Sequence, residues 1–395
     1  MSGEPALETL AGIFTGLPQC MGRALLAFVC TRPDAPVPDA LAQAASAEDP
    51  EGWIVQAAEL APVTGLLWHR LTPGQRRLFS APVQAACAER YLLYTMRAEG
   101  RRRLLEDCLA RLSGAGLPAL LLKGSALVAE VYQAAVEREM CDLDLLVPDD
   151  RLGEAQELLA RDAVRGPATE AVRHEAPLIL PGNYASVELH GVRQHLATWP
   201  RTAAGDPFDA ARPVQVGGQT AYCLASPDNW LHVACHAASH AVSRAPRLAA
   251  DLARLQRSPH WHPDAWPRVW RAAAARGQGR TVALAAAMAG GGTLPAGLRE
   301  LLPTAESADA ERRARFVWRL AFDGREGWPL WVQLAWLGEG LGPEVLRVPT
   351  IDETRAKFRV PRALALVARP CFYAARVACR TAGVLRWRWF VREYR

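Results

Sequence analysis

Between residues 119 and 190 the hydrophobic period of the chain changes, and that change constrains the architecture more than any other feature. Before it, Ala24 to Val29 and Trp53 to Leu67 carry apolar residues at spacings of three and four, separated by a Pro-rich, small-residue stretch over 31–50. A long helix is expected from Ala81 to Ser113, with Ser80 at its N-cap, Pro82 in its first turn and Gly114-Ala115-Gly116 ending it. Then come a short apolar run (119–122), the turn Lys123-Gly124-Ser125, a helix over 126–133, and the alternating run Cys141-Asp142-Leu143-Asp144-Leu145-Leu146-Val147. A helix through Ala160 follows, and then two strands, 177–180 and 185–190, paired around Pro181-Gly182-Asn183. Helical periodicity returns from Ser226-Pro227-Asp228-Asn229 over 230–240, 248–256 and 278–341. The expected fold is α+β and mostly helical, with one small mixed β-sheet core flanked by helical regions. The expected organisation is an N-terminal helical region over 1–113, the sheet core over 114–225, a helical lobe over 226–345 that closes a cleft, and a basic tail over 346–395.

Composition narrows the class. With 395 residues, 50% hydrophobic and 22% charged, the chain is long enough for two or three cores and is not a disordered or fibrous sequence. Nine scattered cysteines with no C-x-x-C pair read as reduced thiols, and no signal-peptide pattern or long uncharged apolar run is present, so a cytoplasmic, non-spanning protein is expected. The net charge of +5 hides an asymmetry: Arg355 to Arg395 holds eleven Arg or Lys against the single acid Glu393, which leaves the rest of the chain net acidic. Such a body is not that of a general nucleic-acid binder, and sequence-specific nucleic-acid binding is not expected. Of 46 basic residues only Lys123 and Lys357 are lysine, which hints that position 123 wants a compact ammonium.

Asp142 and Asp144 are two apart in an expected strand, so they share one face while Leu143 and Leu145 take the other. Adjacent carboxylates repel and Asp is disfavoured in strands; a divalent cation resolves the conflict, because hard oxygen ligands suit Mg²⁺. An isolated D-x-D reads equally well as a solvated sheet edge. Glu188, between Val187 and Leu189 in a later strand, supplies a third carboxylate if the strands pair. Lys123-Gly124-Ser125 lies between a strand and a helix, where free N–H groups and the helix dipole favour an anion, Gly permits close approach, and Ser and Lys reach phosphate oxygens. Taken alone, such a turn is usually just a tight turn. Arg138, four residues before Asp142, is a further candidate phosphate contact, or simply a surface arginine in an Arg-rich chain.

The segments LLLKGSALVAEVY and REMCDLDLLVPDDRL, followed by VELH, resemble the bacterial uncharacterised nucleotidyltransferase family of the polymerase-β-like superfamily. WIVQAAELAPVTGLLWHRL and DNWLHVACHAASHAVSRAPRLAADLARL resemble that family's flanking helical stretches, so the likeness runs over residues 24–257 and fades after 290. The resemblance implies a polymerase-β-like core in which Asp142, Asp144 and Glu188 hold two Mg²⁺ ions. Lys123, Gly124, Ser125, Arg138 and His190 would bind a nucleoside triphosphate, ATP foremost, and Glu188 would help deprotonate an acceptor hydroxyl. The implied reaction moves a nucleoside monophosphate onto a small molecule or peptide and releases pyrophosphate. Two alternatives stay open at this stage: an antitoxin-like protein that adenylylates a partner toxin, and a catalytically silent binding or scaffold module.

Two further features fall outside that motif. His232, His236 and His240 repeat every four residues, within about 80° on one helical face; they read as a metal stripe, as cleft lining, or as core and capping residues. His174, Arg193 and His195 flank the Glu188 strand, while Asp251 stands where the resembled family's helical segment carries its acid, which makes it a candidate for the cleft. The basic tail places Arg362, Arg369, Arg376 and Arg380 within about 40° of one another. It reads as a weak anionic-surface contact or, more simply, as a packed helix with a solvated face.

Overall fold

The computed structural model describes residues 4–17, 19–49, 52–161, 164–165, 178–179, 185–192, 202, 205–237, 245–262 and 264–323. The basic tail, His174, Arg193, His195 and His240 lie outside these described residues. Among them the fold is α+β and mostly helical, with one mixed sheet in the middle of the chain. No helix of the described residues is long and apolar enough to cross a membrane.

The N-terminal helices are α1 (Glu4–Phe14), α2 (Cys20–Thr31), α3 (Asp39–Ala47), α4 (Trp53–Leu60), α5 (Thr64–Arg70) and the short α6 (Pro73–Arg76), followed by the long α7 (Ala81–Gly114). Two details differ from the sequence reading. The run from Trp53 to Leu67 is two helices, because Pro62 cannot donate the backbone hydrogen bond that would continue α4. The Pro-rich stretch 31–50 contains α3, with Pro38 at its N-cap position and Asp39 in its first turn, where the helix dipole favours an acid. Ser80 does sit at the N-cap of α7, with Pro82 in the first turn, but its hydroxyl makes no capping hydrogen bond.

The sheet strands are β1 (Leu120–Leu121), β2 (Asp142–Val147), β3 (Val164–Arg165), β4 (Leu178–Ile179), β5 (Ser186–Gly191), β6 (Arg212–Val216) and β7 (Gln219–Cys223), in the order β3-β4-β5-β2-β1-β7-β6. Helix α8 (Lys123–Glu130) connects β1 to β2 and α9 (Leu152–Ala160) follows β2. The central strand β2 runs antiparallel to β1 and parallel to β5. The sequence reading lacked the antiparallel hairpin β6–β7, whose turn is Gly217-Gly218, and the two-residue β3. Leu143, Leu145, Val147, Val187 and Leu189 point to one face, where they pack with Leu105, Leu109 and Leu112 of α7 and with Ala155 and Leu159 of α9. Leu120, Leu122, Leu146 and Leu224 form a smaller apolar group on the other face.

After β7 come α10 (Ser226–Ala237), α11 (Ala245–Arg257), α12 (Ala265–Ala275), α13 (Gly279–Ala289), α14 (Ala296–Arg299) and α15 (Thr304–Asp323). These helices share a single apolar core with α1 to α5, through residues such as Phe14, Leu25, Leu66, Trp230, Leu252, Val282 and Trp318. That core and the apolar groups of the sheet are separate clusters, and the segment between α8 and β2 runs between them.

Gly65 marks one place where that segment is seated. A Cβ on Gly65 would stand 2.1 Å from the carbonyl oxygen of Val136, so α5 and the 3-10 turn Ala135–Glu137 approach by backbone contact. Ala normally stabilises a helix over Gly. Here Gly65→Ala should have the opposite sign and lower stability by about 1–3 kcal/mol, as overpacking does, measured by urea unfolding. A stabilised variant would mean that α5 can move away at no cost.

Candidate active site

The parallel register of β2 and β5 sets Asp142 opposite Ser186, Asp144 opposite Glu188 and Leu146 opposite His190. Paired residues of adjacent strands point to the same face, so Asp144, Glu188 and His190 converge on the face that α7 and α9 do not cover. One ligand atom from each of these three lies within 4.8 Å of the other two. Asp142 shares the face one pleat repeat away, half-buried, and stands outside this closest group.

Asp144 is the centre of the arrangement and is buried. Its Oδ1 accepts from Lys123 Nζ at 2.5 Å and lies 2.8 Å from His190 Nε2, which is itself 3.9 Å from Glu188 Oε2. Burial acts to raise the Asp144 carboxyl, but the Lys123 ammonium and the hydrogen bond from His190 outweigh it and hold the group well below the usual carboxylate range. An ionised carboxylate only accepts, so the imidazole proton shared with it sits on His190 Nε2. Burial keeps His190 neutral by lowering its pKa. Asp142 goes the other way: burial first, and the Asp144 charge second, raise its carboxyl above the usual value. The two acids of the D-x-D run are therefore electrostatically unequal.

Lys123, Gly124 and Ser125 open α8 directly after β1. Lys123 has φ 48, a left-handed backbone that costs an ordinary L-residue roughly 1–2 kcal/mol, and the ion pair with Asp144 helps to offset that strain. Gly124 allows a close approach, since a Cβ there would stand 2.7 Å from Met140 Sδ. The Ser125 hydroxyl is buried and has no hydrogen-bond partner among the described residues.

Arg138 is placed differently from the contact expected of it. It is buried, with Nε 2.8 Å from Asp251 Oδ1 and Nη1 2.6 Å from the carbonyl of Glu139, so its guanidinium is turned onto α11. Of the histidine stripe, His232 lies in the electrostatic field of Lys123, Asp144 and His190. Burial, and then Lys123, lower its pKa to about 3, so it is a neutral ring beside the site. His236 is its neighbour on the same helix, with ring centroids 6.3 Å apart. Two arginines escaped the sequence reading. Arg101 of α7 is buried near Glu139 and Asp142, and Arg247 of α11 reaches the Glu139 carbonyl at 3.3 Å. Neither carries a local signal, because one lies in a run of three arginines and the other is brought in from more than a hundred residues away.

The inequality of the acids gives a stability test. Asp144→Asn leaves a mostly buried ammonium without its carboxylate and should destabilise by about 3 kcal/mol. Asp142→Asn should be neutral or stabilising, because it removes a charge that burial and Asp144 disfavour. Since the Asp144 pKa is depressed on folding, the stability it contributes is present above the unfolded value and lost as pH falls through the folded one. Wild type should therefore weaken on acidification below about pH 4, and Asp144→Asn should flatten that limb, read by thermal unfolding from pH 2 to 7. Equal losses in both variants would contradict the inequality.

Against this geometry, a family model described as "Uncharacterised nucleotidyltransferase" matches residues 48–290, a span of more than half the chain that holds β1, α8, β2, β5 and both partners of the Arg138–Asp251 pair. No curated protein and no solved structure matches the chain. The matched span contains the whole Asp144 cluster, and the chain belongs to the uncharacterised nucleotidyltransferase family.

Proposed function

We propose that the protein is a Mg²⁺-dependent nucleotidyltransferase that moves a nucleoside monophosphate from a nucleoside triphosphate, ATP foremost, to a hydroxyl of a small molecule or peptide. The observation that carries this reading is the facing of Asp144 and Glu188 across β2 and β5, beside a helix start whose Ser125 hydroxyl has no protein partner among the described residues. Two of the three converging donors, from Asp144 and Glu188, are carboxylate oxygens, which suit a hard divalent cation, and no thiolate joins them among the described residues. His190 Nε2 is engaged by Asp144, so we read His190 as the group that orients a ligand and Asp142, Asp144 and Glu188 as the ligands. Bound there, Mg²⁺ would offset the charge of the triphosphate and of the developing oxyanions.

The chain's own residues supply the rest. Lys123 offers an ammonium to phosphate oxygens, Ser125 a hydroxyl, and the first turn of α8 its free N–H groups. Glu188, half-buried and facing the same side, accepts the proton of the acceptor hydroxyl. The acceptor oxygen then bonds to the α-phosphorus, the bond from that phosphorus to the bridging oxygen breaks, and pyrophosphate leaves with the electron pair.

The deciding experiment incubates the protein with Mg²⁺, cell extract and each nucleoside triphosphate labelled at the α- or the γ-phosphate. Label from the α-position should appear on an acceptor, while transfer of the γ-label would identify a kinase and sink the proposal. Once an acceptor is in hand, Asp142→Asn and Glu188→Gln should each lower transfer by about a thousandfold or more, and the double variant should add little, as expected of groups that act as one unit. Lys123→Arg should cost less, about tenfold, because a planar fork replaces a compact ammonium. Additive losses would separate the acids into independent roles.

A further inference from the structure

A second group of charged residues lies beside the acid strand, and the proposed chemistry does not use it. Glu137 and Arg138 are consecutive in the segment between α8 and β2, and each pairs with a residue of opposite charge on α11. Arg138 meets Asp251 at 2.8 Å and Glu137 meets Arg254 at 2.7 Å. Asp251 and Arg254 are three apart on one helix, hence on one face. Tyr132 closes the ring from the other side: its hydroxyl donates to Asp251 Oδ1 at 2.6 Å, and the Arg254 guanidinium sits 4.4 Å from its ring centroid. All five residues are buried. The ring also grips backbone, since Glu137 Oε1 accepts from the N–H of Ala134 and Arg138 Nη1 donates to the carbonyl of Glu139.

Stability alone does not account for such a group. Buried ion pairs lose much of their attraction to desolvation, and well-packed apolar residues of similar volume often match or exceed them. What the pairs add is direction: each guanidinium fork admits few orientations of its partner. The segment they hold is the one that joins the Lys123–Ser125 helix to the acid strand, and Arg138 stands four residues before Asp142.

We propose that this buried clasp is a positioning device: by pinning residues 132–138 to α11 it fixes where β2 begins, and so places Asp142 relative to Lys123 and Asp144 for a divalent metal–nucleotide complex. The proposal rests on the reading of these acids as metal ligands. Arg138 and Asp251 act in it as positioning residues that need not touch substrate.

The test uses the full chain and Mn²⁺ with a nucleoside triphosphate analogue that carries a methylene bridge between the α- and β-phosphorus, so no acceptor is needed. Affinity is measured by calorimetry, the metal environment by electron paramagnetic resonance, and stability by thermal unfolding. In the apolar pair Arg138→Met with Asp251→Leu, the midpoint should stay at or above that of wild type. Affinity for the Mn²⁺–nucleotide complex should fall about tenfold, the scale seen when groups that orient metal ligands are removed, and the resonance should change shape. Arg138→Lys, which keeps the charge opposite Asp251, should recover part of that loss. A pair variant that folds and binds like wild type overturns the clasp. Should the pair variant fail to fold, Tyr132→Phe decides: it deletes one hydroxyl and keeps the ring under Arg254. An affinity loss of about two- to threefold, measured well below the variant's own unfolding midpoint, supports the proposal, and unchanged affinity overturns it. If wild type itself does not bind the Mn²⁺–nucleotide complex, the reading of the acids as ligands falls, and the clasp's proposed role with it.

Discussion

A carboxylate buried at the centre of a sheet is unstable unless something charged or polar holds it, and the arrangement around Asp144 follows from that requirement. Lys123 supplies the counter-charge and His190 a neutral donor. To bring the ammonium to that oxygen, the chain must leave β1 and turn at once into α8, with the lysine itself in a left-handed conformation. To bring the imidazole there, β5 must lie parallel to β2 in one register. The backbone at residue 123, the start of α8 and the pairing of two strands distant in sequence are thus three consequences of stabilising a single anion.

The legible parts of the fold are those in which local pattern and final environment agree. Asp142 to Val147 alternates because one face packs on α7 and the other does not, and 185–190 alternates for the same reason. The hairpin β6–β7 was missed because its strands place Arg212, Pro213, Gln215, Gln219 and Thr220 among few apolar residues, as suits the edge of a sheet but not a pattern search. Helix α3 hid behind prolines that serve as its boundary. Within the site, Asp142, Asp144, Glu188 and Lys123 announced themselves by chemistry that sits badly in a strand or in an Arg-rich chain. Arg138 also stood out, but its partner did not: Asp251 lies 113 residues away, and nothing local to either residue shows that they meet. Which acid would be the better buried was equally closed to the sequence, because that depends on Lys123 and His190 reaching the same oxygen.

The helical remainder has a definite physical role. Helices α1 to α5 and α10 to α15 close one apolar core, so α11 is packed by helices that precede the sheet and helices that follow it. That packed helix carries Asp251 and Arg254, which pair with the segment that leads into β2. The membership shown for residues 48–290 covers α4 to α13, and with them the sheet and that helix.

The register of β2 against β5 has one more consequence. Side chains alternate along a strand, so sliding β5 by a single residue would turn Glu188 and His190 onto α7 and α9 and expose Val187 and Leu189 on the opposite side. A slip of one residue therefore cannot keep a good core and lose only the acids, or keep the acids and lose only the core. Folding accuracy and chemical competence are thus tied at this strand pair: molecules that bury these apolar side chains on α7 and α9 have, by the same act, turned Asp144, Glu188 and His190 onto the one open face.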